Sequence, residues 1–175
     1  QILSVTFTNK AAKEMQFRVS KILKREATGL PWLGTFHSIS AKILRKHADA
    51  ANLKSNFTII DQDDQVRLVK NICKAENIDI KKISPKYILA IIDKWKNKGL
   101  YPDDVTLKKT ETLEKNFLSI YKIYQQKLID LNCSDFGDLI LHTVKILIKY
   151  KDIASIYSKK FKYILVDEYQ DTNFI

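Results

Sequence analysis

The sequence predicts an α/β protein whose parallel sheet is interrupted by an all-helical insertion. Short segments rich in β-forming residues alternate with amphipathic helical segments at both ends of the chain, and this alternation is typical of a parallel sheet. Between those ends, from residue 61 to about residue 133, nearly every segment has a helical pattern. The 175 residues are 45% hydrophobic and 29% charged, a balance that excludes a disordered tail and allows a sizeable core.

The first part of the chain, residues 1–60, begins with a predicted strand and helix. Residues 2–7 (ILSVTF) are rich in β-formers and predict a short buried strand. Thr8 and Asn9 can supply the N-cap of a helix over residues 10–25. The apolar residues of this helix recur at helical spacing and are expected to face the core: Ala12, Met15, Val19, Ile22 and Leu23.

A second strand and helix follow in the same order. Residues 32–36 predict the strand, and Ser38 is the expected N-cap of the helix behind it. Residues 57–60 predict a third strand. Because strands alternate with helices here, we expect these strands to share one parallel sheet.

The helical stretch, residues 61–134, is expected to form an inserted subdomain. Asp61 or Asp63 can cap its first helix, and the pair Ser84-Pro85 predicts the start of another. Two apolar stripes at helical spacing predict the buried faces of two helices: Ile88, Ile91, Ile92 and Trp95 in one, and Phe117, Ile120, Tyr121, Tyr124 and Leu128 in the other.

The α/β pattern returns over residues 135–175. Asp135 is the expected start of a helix that carries Phe136, Leu139 and Ile140. Residues 161–166 then predict a buried parallel strand, which leads directly into the acidic turn that begins at Asp167.

The charge of the chain favours a polyanionic partner. The formal net charge is +10, and nearly all of the 30 basic residues are lysines, so nucleic acid is the first expectation. The alternative is a lysine-rich surface that is only solvated. Cys73 and Cys133 match no metal-ligand spacing and are expected to be reduced thiols of a cytoplasmic protein. No apolar run of the length of a membrane span occurs.

The sharpest motif is YILVDEYQD, residues 163–171, which has the Walker B pattern of a buried strand followed by two carboxylates. Such a strand delivers its carboxylates to the edge of a parallel sheet where ligands bind. Asp167 is the expected Mg²⁺ residue, through water, and Glu168 the residue that orients or deprotonates the attacking water. Gln170 could sense the γ-phosphate. A solvated acidic turn is the alternative.

Two further motifs join a strand end to a helix start. In TFTNKAA, residues 6–12, Lys10 and the helix N-terminus suit a phosphate, and Phe7 could stack on a base. In GTFHS, residues 34–38, Thr35 and His37 offer polar contacts to a nucleic-acid backbone. A core phenylalanine, a simple helix cap and a structural histidine are the alternative interpretations.

Taken in order, TFTNKAA, GTFHS, DFGDLI at residues 135–140 and VDEYQDTN at residues 166–173 resemble the UvrD/Rep/PcrA family of superfamily 1 DNA helicases. The resemblance covers essentially the whole chain. It implies a partial RecA-like fold of the P-loop NTPase class, ATP and Mg²⁺ as cofactors, and translocation 3′ to 5′ on single-stranded DNA. The resemblance further implies that junctions between single- and double-stranded DNA are substrates.

The resemblance also implies roles for individual residues. Phe7, Thr8, Asn9, Thr35, His37 and Phe136 match positions beside the DNA strand. Asp167 takes the Mg²⁺ role, Glu168 the water-activating role and Gln170 a coupling role. The family usually has DFDDLI where this chain has DFGDLI, so Gly137 stands in place of an acidic residue.

The chain is expected to be one piece of a longer helicase. It lacks the GxxxxGKS/T phosphate loop, so we expect no ATP hydrolysis from it alone. By resemblance, residues 1–60 and 135–175 belong to motor domain 1A, residues 61–134 to its insertion 1B, and the rest of 1A and domains 2A and 2B are its partners. Two alternatives are the motor part of an AddA/RecB-type helicase–nuclease and a non-catalytic DNA-binding module.

Lysines of the helical insertion are further candidates for contacts to the DNA backbone. Lys94, Lys96 and Lys98 lie beside the apolar stripe of their helix, with Lys81, Lys82 and Lys86 just before it. Because the stripe should face the core, we expect these lysines to point to solvent, where they could meet phosphates.

Overall fold

The computed structural model describes residues 1–24, 30–79, 83–106 and 112–171. Within these ranges the chain alternates strands and helices in the following order: β1 (Ile2–Thr6), α1 (Asn9–Leu23), β2 (Leu33–Thr35), α2 (Phe36–Lys46), β3 (Thr58–Ile59), α3 (Gln62–Ala75), α4 (Pro85–Lys96), α5 (Thr112–Asp130), β4 (Cys133–Ser134), α6 (Phe136–Lys149), α7 (Lys151–Lys160) and β5 (Tyr163–Val166). Short 3₁₀ turns span Ala48–Ala51, Pro102–Asp104 and Tyr169–Asp171.

The main sheet of the described residues has three parallel strands in the order β2-β1-β5. Thr6 is in register with Thr35, and Val5 with Val166. The three strands therefore end at one edge of the sheet, which is where parallel sheets bind ligands. This mixed α/β architecture with parallel strands confirms the predicted fold class and is that of a partial RecA-like fold.

Residues 57–60 do not join that sheet. Their strand, β3, pairs in parallel with β4 in a separate two-stranded ladder of the described residues, with Thr58 opposite Cys133. The expectation of one shared sheet was wrong for this segment because its partner, β4, lies more than 70 residues later in the chain. The ladder joins the two ends of the helical stretch.

Strand β5 is parallel as predicted but is not buried. Tyr163, Ile164 and Leu165 expose 67%, 61% and 57% of their surface, because β5 is an edge strand that pairs with β1 alone among the described residues. The inward face predicted for α1 was also partly wrong. Ala12 is buried, whereas Ile22 and Leu23 at the end of the helix are exposed.

The described residues form two separate hydrophobic clusters. The first lies between the main sheet and helices α2, α6 and α7, and it includes Val5, Leu44 and Tyr157. The second lies among α3, α4 and α5, and its fully buried members include Ile88 and Tyr124. The stripe predicted for α5 is buried throughout, and that of α4 is buried except at the half-buried Ile91.

Side-chain caps fix where the helices begin. Asp61 and Ser84 accept hydrogen bonds from the backbone N–H groups of Asp64 (2.9 Å) and Tyr87 (3.2 Å), as expected for N-caps. The cap of α2 is Thr35 rather than the predicted Ser38, whose own hydroxyl donates back to the Thr35 carbonyl. Among the described helices, none is both long and apolar enough to cross a bilayer.

Candidate nucleic-acid groove and carboxylate edge

A groove opens where β1 and β2 end and α2 and α6 begin. We call this cavity of about 260 Å³ the strand-end groove; it is lined by Phe7, Asn9, Thr35, His37, Ser38, Ala41, Ile59, Phe136 and Leu139. Five of the six residues that the resemblance placed beside DNA line this one cavity, although they come from three separate motifs. The sixth, Thr8, precedes α1, where its hydroxyl accepts a hydrogen bond from Ala11 N–H at 3.1 Å.

Aromatic rings dominate the strand-end groove. Phe7 packs against Phe36 with 5.1 Å between ring centroids, and His37 meets Phe136 edge-to-face at 5.8 Å. Phe7 is 36% exposed and Phe136 50%, so both retain ring surface on which a base could stack. Burial lowers the pKa of His37, which favours the neutral imidazole that can both donate and accept hydrogen bonds.

Polar groups surround these rings. Thr35 is buried, and its hydroxyl is the α2 cap, accepting from Ser38 N–H at 3.2 Å. Lys10 is exposed in the first turn of α1. Two helix N-termini, those of α1 and α2, thus begin at the strand ends beside the groove, and helix N-termini favour negatively charged groups.

The Walker B carboxylates lie at the same edge of the sheet. Asp167 N–H donates to the Val5 carbonyl at 3.0 Å, and the Thr6 hydroxyl donates to Asp167 Oδ2 at 3.2 Å. Glu168 has φ +52°, a left-handed backbone that is uncommon for a non-glycine residue. Its carboxylate accepts a hydrogen bond from Gln170 Nε2. All three predicted side chains, at 167, 168 and 170, are exposed; Thr172 and Asn173 lie outside the described residues.

A cavity of about 430 Å³ adjoins Asp167, lined by Ala11, Glu14, Met15, Arg18, Leu165, Val166 and Asp167. In the described part of the chain no group of three or more metal-ligating side chains occurs. Mg²⁺ does not require one, because it keeps several waters and is commonly held by one or two carboxylates together with substrate phosphates. The exposed Asp167 carboxylate at a sheet edge fits that mode of binding.

Lys96 is not on the surface, and its assignment as a DNA contact was wrong. The side chain is fully buried, and Nζ lies 2.6 Å from Asp135 Oδ2 and 2.8 Å from Asp138 Oδ1. Tyr124 OH donates to Asp135 Oδ2 at 2.8 Å, and Gln125 Nε2 to Asp138 Oδ1 at 3.1 Å. We call these five residues the lysine–aspartate cluster; it joins α4 and α5 to the start of α6.

The other insertion lysines keep their predicted exposure where they are described. Lys86, Lys94 and Lys98 are exposed, while Lys81 and Lys82 lie outside the described residues.

A signal for the burial of Lys96 was present in the sequence. Lys96 follows Ile88 and Ile92 at intervals of four residues, so it continues the buried face of α4.

The surroundings within the lysine–aspartate cluster shift the pKa values of its two carboxyl groups in opposite directions. Burial opposes ionisation of Asp135, but the Lys96 charge and several hydrogen bonds hold its pKa below the ordinary value. Burial and the neighbouring Asp135 charge raise the pKa of Asp138. Burial disfavours the charged form of Lys96, yet the two aspartates raise its pKa, so the lysine remains protonated.

Comparison with known proteins identifies the family. The family model described as the UvrD/REP helicase N-terminal domain matches residues 1–175. A probable DNA helicase II homolog of Rickettsia conorii is 47% identical over 99% of this chain and 27% of its own length. The ATP-dependent DNA helicase PcrA of Staphylococcus epidermidis is 41% identical over 98% of this chain and 24% of its own length. The chain thus spans about a quarter of the curated relatives it matches, and it belongs to the UvrD/REP helicase N-terminal domain family.

Proposed function

We propose that this chain is part of a longer ATP-dependent helicase that moves 3′ to 5′ on single-stranded DNA and opens duplexes at single/double-strand junctions. The observation that carries the proposal is the strand-end groove, where aromatic and small polar side chains from three motifs line one cavity. That mixture suits a single strand, because rings stack on bases and polar groups contact the backbone without reading sequence.

Each residue of the strand-end groove then has a role. Phe7 and Phe136 stack on bases through their exposed ring surface. Asn9, His37 and the neighbouring helix N-termini meet the sugar–phosphate backbone, and Thr35 fixes the start of α2. Lys10, Lys94 and Lys98 add charge at the periphery, where each phosphate contact strengthens binding in a salt-dependent way.

The carboxylate edge serves ATP hydrolysis in this proposal. Asp167 would hold Mg²⁺ through water, and the ion would neutralise charge on the phosphates. Glu168 orients the attacking water and accepts its proton, while the hydrogen bond from Gln170 steadies the Glu168 carboxylate. Thr6 donates to Asp167 and is followed directly by Phe7 of the groove, so β1 offers a short physical link between hydrolysis and the DNA strand.

The division of the chain follows its two hydrophobic clusters. Residues 1–60 and 135–175 would form part of motor domain 1A, and residues 61–134 the insertion 1B. The exposed apolar strand β5 is where we place the remaining strands of domain 1A in the longer protein. Domains 2A and 2B would complete the ATP site and the DNA path.

The test is ATP hydrolysis by the full-length protein with and without single-stranded DNA. Glu168→Gln should lower kcat about 10²- to 10⁴-fold, since general-base catalysis contributes roughly that much, while ATP binding is retained. Glu76→Gln, at an exposed position after α3, is the matched control and should leave kcat unchanged. Near-normal turnover of Glu168→Gln would show that the carboxylate edge is not the hydrolytic site.

A further inference from the structure

The lysine–aspartate cluster has more acidic than basic groups. Lys96 supplies one positive charge at Nζ, and the carboxyl groups of Asp135 and Asp138 both reach it, at 2.6 and 2.8 Å. All three side chains are almost completely buried. An unbalanced charge is costly inside a protein, and a buried carboxyl group avoids that cost by holding a proton. The cluster is therefore expected to hold one proton in addition to those of the Lys96 ammonium group.

The neighbours of Asp138 supply no second positive charge. Its titratable neighbours come from α4, from the residue before the turn at Pro102–Asp104, from α5 and from α6: Asp93, Lys96, Tyr101, Tyr121, Tyr124, Asp135 and His142. Of these described neighbours, only His142 could add a positive charge to that of Lys96. Burial lowers the pKa of His142, and its Nε2 lies 4.0 Å from Asp138 Oδ2, which is too long for a hydrogen bond.

Two buried oxygens of this cluster lack a hydrogen-bond donor. Within the described ranges, the buried side-chain atoms without a partner are Gln125 Oε1 and Asp138 Oδ2. Their side chains are already joined, since Gln125 Nε2 donates to Asp138 Oδ1 at 3.1 Å. Both oxygens are enclosed by protein, so a water molecule has no room beside them. The joined pair therefore has two unused acceptors and needs a donor.

A proton on Asp138 Oδ2 answers both requirements. It removes the excess negative charge, and it needs no additional space. A protonated carboxyl group offers an O–H donor and a carbonyl acceptor, and the amide of Gln125 offers an N–H donor and a carbonyl acceptor. The two groups are therefore complementary. Burial and the Asp135 charge, which raise the pKa of Asp138, favour the same protonated form.

We propose that Asp138 is a neutral carboxylic acid at neutral pH, which donates its Oδ2–H to Gln125 Oε1 and so fastens the helical insertion to α6. Gln125 follows Tyr124 of the second hydrophobic cluster, and Asp138 precedes Leu139 of the first. Loss of this proton at alkaline pH would leave an unbalanced buried charge where the two clusters meet. The inference goes beyond the proposed function and does not depend on it.

Infrared difference spectroscopy of the full-length protein at neutral pH tests the protonation. Wild type minus Asp138→Asn should contain the C=O stretching band of a protonated carboxyl group. Wild type minus Asp152→Asn, at an exposed site on α7, should not. If the first difference spectrum lacks the band, the proposal is wrong.

Two further variants test the partners of the proton. Gln125→Met should shift the band, because the acid loses the amide that accepts its O–H; an unshifted band would overturn the assignment of Gln125 as the acceptor. Asp135→Asn should abolish the band, because Asp138 then balances the Lys96 charge alone and gives up its proton. A band that persists in Asp135→Asn would contradict the charge argument.

Urea unfolding detects the same proton through its linkage to stability. Because the pKa of Asp138 is higher in the folded than in the unfolded protein, wild type should lose stability as the pH rises towards the folded pKa. Between about pH 6 and about pH 8, its unfolding equilibrium constant should rise relative to that of Asp138→Asn by up to about tenfold per pH unit. The histidine contributions are common to both proteins. Asp138→Asn keeps the size of the side chain and an N–H donor, so its urea midpoint at neutral pH should equal or exceed that of wild type. A clearly lower midpoint, or parallel pH profiles, would show that Asp138 is an ionised partner of Lys96.

Discussion

At the scale of single residues, Lys96 shows how position within a helix outweighs side-chain type. Lysine is rarely fully buried unless it is paired, and here two carboxylates reach Nζ at 2.6 and 2.8 Å. The same ammonium group lies over the rings of Tyr121 and Tyr124, with Nζ 5.8 and 5.1 Å from their centroids. Lys96 therefore ties α4 to the start of α6 through its two ion pairs.

Lys96→Met tests that role. The change leaves Asp135 and Asp138 buried without a counter-charge, so the free energy of unfolding should fall by about 3–5 kcal/mol in urea denaturation. Lys94→Met, two residues away and exposed, should change it by no more than about 0.5 kcal/mol. Adding Asp135→Asn to Lys96→Met should recover part of the loss, since the asparagine keeps the helix cap. Equal stability of the two lysine variants would contradict the ion-pair assignment.

At the scale of elements, the first turn of α6 serves two purposes at once. Asp135 caps the helix through Asp138 N–H at 2.8 Å and belongs to the lysine–aspartate cluster. Phe136, the next residue, is exposed in the groove. A Cβ atom at Gly137 would lie 3.1 Å from Lys96 Cδ and 3.4 Å from Asp135 Oδ1. The absence of a side chain at Gly137 thus leaves room for the Lys96 side chain.

The exposed lysines at the end of α4 and just after it provide a test of DNA binding, in which the buried Lys96 is left unchanged. Changing Lys94 and Lys98 together to glutamate should weaken DNA binding alike for all sequences and flatten the salt dependence, because each lost phosphate contact on a single strand removes a log–log slope of about 0.7. Salt titrations of DNA affinity in the full-length protein measure this. Lys151 and Lys159 of α7, exposed and beyond the far end of α6, form the matched control pair. If both pairs leave the slope unchanged, the lysines of α4 only solvate the surface.

At the scale of the whole molecule, features set by residues that are neighbours in the sequence were predicted better than features set by residues that are far apart in it. The strand ends at Thr6 and Thr35 and the turn at Asp167 were predictable because strand, cap and carboxylate are neighbours in sequence. The pairing of β3 with β4 was not predicted, because β4 lies far along the chain from β3. The exposure of β5 was not predicted either, because the sequence of the strand does not show that it lies at the edge of the described sheet. The spacing of Lys96 from Ile88 and Ile92 was a local signal for its burial, but the carboxylates that neutralise it lie in a distant part of the sequence. The cleft of about 420 Å³ between α3, α4 and α6 could not be predicted, because its lining residues come from helices that are far apart in the sequence.

The two hydrophobic clusters are joined by polar contacts at α6. His142, on the same helix, is buried; Tyr101 OH lies 2.5 Å from its Nδ1 and Asp138 Oδ2 lies 4.0 Å from its Nε2. Burial is the main influence on its pKa, which is lowered from the ordinary 6.5 in spite of the Asp138 charge. The stability of this junction should therefore depend on pH.

The direction of that dependence follows from proton linkage. Because the pKa of His142 is lower in the folded than in the unfolded protein, the unfolded chain binds its proton more readily, and stability falls as pH drops below 6.5. Asp135, whose pKa is also lowered, extends the loss to more acidic pH, whereas Asp138, whose pKa is raised, opposes it.

Urea unfolding at about pH 7.5 and about pH 5.5 should show this fall in the free energy of unfolding, to which one histidine contributes at most about 1.4 kcal/mol per pH unit. His142→Gln should make the decrease shallower whatever its effect at neutral pH, and His47→Gln, at a less buried histidine whose pKa is also lowered, should do so less. A decrease of the same steepness in His142→Gln would show that this histidine does not link the junction to pH.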